Sequence, residues 1–326
     1  MALLPTSCTP PRKLIFILTT KPIIHITVKL KMRDIVAEGL SLLEDAVRRC
    51  CGGGVGLVFS AGVDSTLIGF LASRHAGVEA YSVGVKGSHD LDYAREIMGQ
   101  TPFRINCIEL AEDDVEGELP KIINVIKSAS PLDAGVGIPF HFASKRASSE
   151  GIKTMLCGQG SDELFGGYSR YIELLGSGSY DELDELMRKD LRELPESNLW
   201  RDRMLCEANG VKLEIPFLDK RFVDYVQEIP AQLKVKELSG FEEEAYECVD
   251  EINGMRFVRK YVLRKMAERA GLPEPVIQRV KKAAQYGSGS QKTLERLARK
   301  NGFKEKASNA GRRDYTQMYL ESLLRG

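Results

Sequence analysis

Six consecutive residues, Ser60-Ala61-Gly62-Val63-Asp64-Ser65, combine what is needed to hold a polyphosphate. The apolar run Val55–Phe59 reads as a short strand feeding them, and Thr66–His75 reads as the helix that follows. In such a turn the backbone N–H groups and the positive end of the helix form an anion site, and the hydroxyls of Ser60, Ser65 and Thr66 add donors. Gly62 leaves room for close backbone approach. A carboxylate beside phosphate is repulsive unless a cation bridges the two, which makes Asp64 a magnesium candidate. The plainer alternative is a tight connection in which Asp64 only caps the helix. The segment lacks the Gly-Lys-Ser/Thr of a Walker A loop and is not GxGxxG.

A second candidate is Gly158-Gln159-Gly160-Ser161-Asp162-Glu163-Leu164-Phe165-Gly166-Gly167-Tyr168, which follows the apolar run Lys153–Cys157. Two glycine-flanked turns bracket adjacent carboxylates just after a strand, and Asp162 would complete a magnesium site with Asp64. An acidic turn opening a helix is the alternative.

Both candidates must be positioned by the elements around them. Strand, loop and helix alternate through Val55–Phe59, Thr66–His75, Ala80–Val85, Leu91–Met98, Arg104–Leu110 and Lys153–Cys157. Apolar strands alternating with helices imply an α/β fold: a parallel sheet with helices on both faces and ligands at the carboxyl ends of its strands. Beyond Gly176 the strand signals fade, and Asp181–Met187, Asp219–Val226 and Phe257–Arg269 carry helical periodicity. The expected division is residues 1–31 as an N-terminal extension, disordered or mis-started, 32–176 as the α/β domain that carries both loops, and 177–326 as a mainly helical region completing it. Met32 opens an amphipathic run with Ile35, Val36, Leu40, Leu43 and Val47, whereas Ile23–Leu30 has an edge strand as its competing reading.

Composition narrows the partners. The 326 residues are 43% hydrophobic and 28% charged, and 46 Lys+Arg balance 46 Asp+Glu. That neutrality argues against nucleic acid and anionic membranes and favours small-molecule substrates. Seven cysteines without CxxC spacing read as reduced thiols of a cytoplasmic protein. Arg12 and Lys13 precede Leu14–Leu18 in the manner of a signal peptide, but five apolar residues are too few for its core. No run reaches the ~18 apolar residues of a membrane helix. A homodimer is compatible with the sequence.

The loop at Ser60 resembles the SGGxDS loop of the PP-loop ATP pyrophosphatases, of the adenine nucleotide alpha hydrolase-like fold, with Ala61 in place of a glycine. The segment Gly158–Tyr168 is similar to the GEGSDELFGGY signature of asparagine synthetases and β-lactam synthetases. Asp202-Arg203-Met204, Glu214-Ile215-Pro216-Phe217-Leu218-Asp219, Lys260-Tyr261-Val262-Leu263-Arg264, Leu272-Pro273 and Arg279-Val280-Lys281 follow in the family's order. The resemblance covers Met32 to Gly289 and implies an ATP-dependent, AMP-forming ligase that adenylates a carboxylate, aspartate first among them, and then forms an amide. It implies ATP and Mg2+ as cofactors, with Val58 and Val83 lining the adenine pocket, residues Ser60 to Ser65 on the phosphates and Gly158 on the nucleotide. Asp64 and Asp162 would hold magnesium, and Lys281 would oppose the charge that builds on departing pyrophosphate. A solvated cationic face is the plainer reading of Lys281.

Departures from the family qualify this. Residue 2 is Ala2 rather than the nucleophilic cysteine of a glutaminase, and fewer than 60 residues precede the loop. Ammonia is therefore expected from solution or from a separate glutaminase subunit. Gln159 stands where the family has a glutamate that orients the amine or takes its proton, and an amide has no such basicity. Restoring glutamate there is expected to raise turnover. Ala284–Lys292 resembles the tail of stand-alone asparagine-synthetase-like proteins. Two other classes compete: a PP-loop enzyme that modifies RNA or another acceptor, with Cys107 or Cys157 carrying sulfur, and a non-catalytic nucleotide-binding subunit.

Overall fold

The computed structural model describes residues 21–239, 246–280 and 282–324, with 21–31, 196 and 197 in backbone only. The basic and apolar residues at 12–18 and Ala2 lie outside the described residues. Two units are distinguished, residues 1–35 and 36–326. Helix α1 (Lys21–Cys50) opens the description, followed by β1 (Val55–Val58), α2 (Val63–Ala72), β2 (Val78–Val85), α3 (His89–Glu96), β3 (Arg104–Leu110), α4 (Glu112–Ile126), α5 (Pro131–Ser149) and β4 (Thr154–Leu156). Then come α6 (Ser161–Phe165), α7 (Ser169–Leu175), α8 (Tyr180–Leu194), α9 (Trp200–Glu207) and β5 (Lys212–Glu214). The remainder runs α10 (Lys220–Gln227), α11 (Ala231–Lys234), β6 (Val235–Glu237), β7 (Val249–Ile252), β8 (Met255–Arg259), α12 (Tyr261–Ala270), α13 (Glu274–Ile277), α14 (Ala284–Gly287), α15 (Ser290–Lys300), α16 (Phe303–Asn309) and α17 (Tyr315–Leu324).

Five strands pair in parallel in the order β3-β2-β1-β4-β5. Leu57 of β1 lies level with Ala80 of β2 and Leu156 of β4, and all three are fully buried. Strands this apolar belong in a sheet covered on both faces. The chain moves outward from β1 through β2 to β3, then returns to the other side of β1 as β4. Right-handed crossovers running in opposite directions put α2 and α3 on one face and α4 and α5 on the other. The reversal makes β1 and β4 neighbours whose carboxyl ends open a crevice, where open α/β sheets bind ligands.

The expected strand and helix pattern up to Cys157 is present, with helix ends displaced by a few residues: α2 starts at Val63 and α3 at His89. Ile23–Leu30 lies in α1 and not in a strand. A helix already nucleated adds one hydrogen bond per residue as it lengthens, whereas an edge strand needs a partner edge. Strands continue beyond Gly176, against expectation. β5 joins the main sheet, and β6, β8 and β7 form an antiparallel sheet of three. Phe257, read as a helix start, is central in β8, where it pairs with Glu237 and Asp250. The helix waits for Lys260, whose left-handed backbone (φ +58) separates β8 from α12. Among the described residues no helix is long and apolar enough to cross a membrane.

Leu57, fully buried between two strands, reports on the sheet's core. Leu57→Ala is expected to lower unfolding free energy by about 2–5 kcal/mol. Urea unfolding measures this, and a loss below about 1 kcal/mol would contradict the packing described.

Candidate active site

Loops leaving β1 and β4 build the floor of the crevice. After Phe59 the chain turns through Ala61, whose φ of +56 is left-handed. An L residue there costs about 1–2 kcal/mol, so alanine in the family's glycine position is a strained substitution and not a neutral one. Gly62 precedes α2, and a Cβ added to it would meet only Ser60 Oγ, at 3.3 Å. The protein therefore tolerates more bulk there than was expected, and what Gly62 leaves is space for a ligand. The hydroxyls of Ser60 and Ser65 face each other at 3.4 Å, and Ser65 Oγ donates to Gly62 O at 3.4 Å. These long bonds leave the hydroxyls free to turn toward an anion.

The β4 loop packs on the β1 loop. A Cβ on Gly158 would stand 2.9 Å from Asp64 Cβ and 3.1 Å from Ser65 N, so glycine is required by contact between the loops themselves. Gly160 (φ +86) and Gly166 (φ +72) take left-handed conformations at the two ends of α6. Between them Ser161 and Asp162 turn toward Asp64.

A buried ammonium holds these groups together. Lys260 is 2% exposed, and its Nζ lies 2.7 Å from both carboxylate oxygens of Asp64, 2.7 Å from Ser161 Oγ and 2.6 Å from Asp162 Oδ1. A Cβ on Gly167 would collide with Asp162 Oδ1 and Lys260 Cε, so only glycine permits this approach. Next to it Glu163 accepts from Tyr168 Oη at 2.5 Å; burial, then the charge of Asp162, raises its carboxyl above the ordinary glutamate range.

Arg279 closes another side. Its guanidinium donates to Ser60 O, to Asp90 Oδ1 at 2.7 Å and to His89 Nδ1 at 2.9 Å, and it stacks on Tyr93 at 4.3 Å. As an acceptor, His89 must be neutral there; burial and the positive charges of Arg279 and Lys282 pull its pKa down to about 4. Gln159 Nε2 donates to Asp202 Oδ2 at 2.6 Å, and Asp202 also accepts from Arg201 Nε at 2.9 Å.

Val58, Ser60, Asp64, Ser65, Val83, Gly158, Gln159 and Asp162 line one cleft, together with Tyr81, Phe140 and Ala284. An adjoining pocket is lined by Gly62, Val63, Lys260, Arg264, Arg279 and Lys282 and shares Ser60, Asp64 and Asp90 with the cleft. Apolar walls beside a cationic end suit a base and its phosphates. Ala61 is fully buried and lines neither. Lys281 lies outside the described residues. Reading motifs by type and spacing did not single out Lys260, Arg279 or Asp202 as site-building groups. Their only signal was membership of family-like segments, because each reaches the site from a distant part of the chain. Cys107 lies on the β3 edge, away from the cleft, and burial raises its thiol pKa. Burial also pushes the Cys157 thiol well up, which disfavours the thiolate a sulfur carrier needs.

The donor set suits magnesium. Asp64 and Asp162 converge closely enough to share one ammonium, and a cation held by one or two carboxylates takes its other oxygens from phosphates and water.

Comparison with known proteins gives a consistent family. The asparagine synthase family model matches residues 38–181 and 175–325. A putative asparagine synthetase [glutamine-hydrolyzing] 1 of Methanocaldococcus jannaschii is 38% identical over 268 residues, covering 78% of this chain and 49% of that protein. Asparagine synthetase B [glutamine-hydrolyzing] of Escherichia coli is 26% identical over 264 residues, 76% of this chain and 44% of its own length. A probable asparagine synthetase of Dictyostelium discoideum is 26% identical over 274 residues, 78% of this chain and 45% of its own. The chain thus spans about half the length of the curated relatives it matches. With the family model covering residues 38–325 without a gap and the signature loops meeting at one crevice, the chain belongs to the asparagine synthase family.

Proposed function

We propose that this chain is an ATP-dependent ligase that adenylates a carboxylate, aspartate first among candidates, releases pyrophosphate, and passes the acyl group to ammonia to form an amide. The observation that carries the reading is the convergence of Asp64, Ser161 and Asp162 on Lys260, between the loops that leave β1 and β4. ATP would lie with its base between Val58 and Val83 and its phosphates over Ser60–Ser65. Magnesium, held by Asp64 and Asp162, would neutralise phosphate charge.

The chain's own groups account for the rest. The N–H groups of the first turn of α2 and the hydroxyls of Ser60 and Ser65 would orient the β- and γ-phosphates. Lys260 holds the two carboxylates together and keeps them from repelling each other. Arg279, anchored by Asp90 and by the carbonyl of Ser60, stands beside the phosphate loop with Lys282 lining the same pocket. Cations fixed there would favour the negative charge that grows on pyrophosphate as the α–β bond breaks. The nitrogen is ammonia in this reading, free or supplied by a glutaminase, as the glutamine-hydrolyzing names of the relatives suggest for those proteins. The setting proposed is the cytoplasm.

Turnover is expected to produce AMP and pyrophosphate. Chromatography of products from labelled ATP decides this, and ADP with phosphate would refute the reading. Asp162→Asn leaves Lys260 paired with Asp64, so the chain should still fold, while carboxylate-dependent exchange of pyrophosphate into ATP is expected to fall about 100-fold or more. Near-normal exchange in that variant would remove Asp162 from the phosphate chemistry.

A further inference from the structure

Gln159 lines the cleft within three residues of Asp162, but its hydrogen bond points away from it, into the protein. Its partner, Asp202, is fully buried at the start of α9. Asp202 accepts from Gln159 through Oδ2 and from Arg201 through Oδ1, while Arg201, 1% exposed, also donates to Asp133 at 3.0 Å. Burial pushes the Asp202 carboxyl up and the Arg201 guanidinium draws it back down; ionised, with two N–H donors aimed at it, it can only accept. The amide of Gln159 is therefore assigned: Nε2 turns inward to Asp202, and Oε1, which makes no hydrogen bond among the described residues, remains for the cleft.

We propose that Asp202 acts through Gln159 to select the nucleophile, locking the amide so that a lone acceptor faces the acyl-adenylate and a small amine is held by donating an N–H to Oε1. This rests on the ligase reading above. The step balances without a proton on Gln159. The amine lone pair forms the C–N bond, the acyl C–O bond breaks with AMP taking the electron pair, and the proton shed by nitrogen passes to AMP or to water.

Two substitutions separate this from a structural role. In Asp202→Asn, Oδ1 must stay on Arg201, so Nδ2 faces Gln159; the Gln159 amide must turn over and present Nε2, a donor, to the cleft. In Gln159→Glu, a second carboxylate stands against Asp202 with one guanidinium already shared between Asp202 and Asp133. The other titratable groups facing the pair, the thiols of Cys157 and Cys206, are held protonated by burial and offer no relief. The new carboxyl would share a proton with Asp202, its pKa raised above the unfolded value. Folding then favours its protonated form, so stability is lost as pH rises above about 4.3. On this proposal glutamate at 159 costs stability, whatever its effect on turnover.

The test uses the full chain, the two single variants and the Gln159→Glu/Asp202→Asn double variant. Asp202→Asn should raise KM for ammonium in amide formation about tenfold, with a far smaller change in pyrophosphate exchange. Gln159→Glu should lose about 5 °C of thermal midpoint relative to the unsubstituted chain between pH 5 and about 8, and the double variant should recover it, since Asn Nδ2 can donate to an ionised Glu. An unchanged KM for ammonium in Asp202→Asn, equal losses in exchange and amide formation, or a Gln159→Glu midpoint that follows the unsubstituted chain across pH would overturn the proposal. If no form shows exchange with any carboxylate, the ligase reading fails, and the pH dependence of the midpoints still decides whether Asp202 fixes residue 159.

Discussion

Everything in the crevice depends on the ammonium of Lys260, which is sealed from water among Asp64, Ser161 and Asp162. Burying charges costs several kcal/mol each, and only close convergence with further hydrogen bonds offsets that cost. The chain supplies convergence at a price in local freedom: Lys260 adopts a left-handed backbone, and Gly158 and Gly167 have no space for a side chain. Lys260 offsets one of the two carboxylate charges, and Arg264, Arg279 and Lys282 line the same pocket on its cationic side. In the proposed reading, a divalent cation held by Asp64 and Asp162 would offset their charge beside the phosphates.

Topology brings these groups together. β1 and β4 are adjacent only because the strand order reverses, and the loops that follow them then touch at Gly158 and Asp64. The second sheet extends this by ending β8 at Arg259, which delivers Lys260 directly into the crevice. Arg279 ties a third distant segment to Ser60 and Asp90. Adenylation needs little covalent chemistry from the protein and much positioning, so a floor locked by contacts among residues near 60, 160, 260 and 280 is what the proposed reaction requires.

The main sheet was legible because β1, β2 and β4 are largely buried and carry mostly apolar runs between glycine-containing turns. β5 was not, since Lys212-Leu213-Glu214 offers a single apolar residue on an edge. Phe257 misled because Met255–Arg259 and the helix after it form one mixed run whose break is Lys260, a residue with no intrinsic turn preference; tertiary ion pairs hold it in the left-handed region. Within the site, Asp64 and Asp162 announced themselves by lying in glycine-flanked turns after strands. Lys260 and Asp202 gave no such local cue, because what defines them is partners about a hundred or more residues away or across the core. The strain at Ala61 was not legible either, because an alanine carries no sign of the left-handed backbone it is held in.

The central claim is that the acceptor carboxylate attacks the α-phosphorus of ATP. Incubating the chain with ATP, magnesium, ammonium and aspartate whose side-chain carboxylate carries oxygen-18, then weighing the AMP by mass spectrometry, tests this most directly. The account predicts one labelled oxygen in AMP and none in pyrophosphate; label in inorganic phosphate alongside ADP would contradict it.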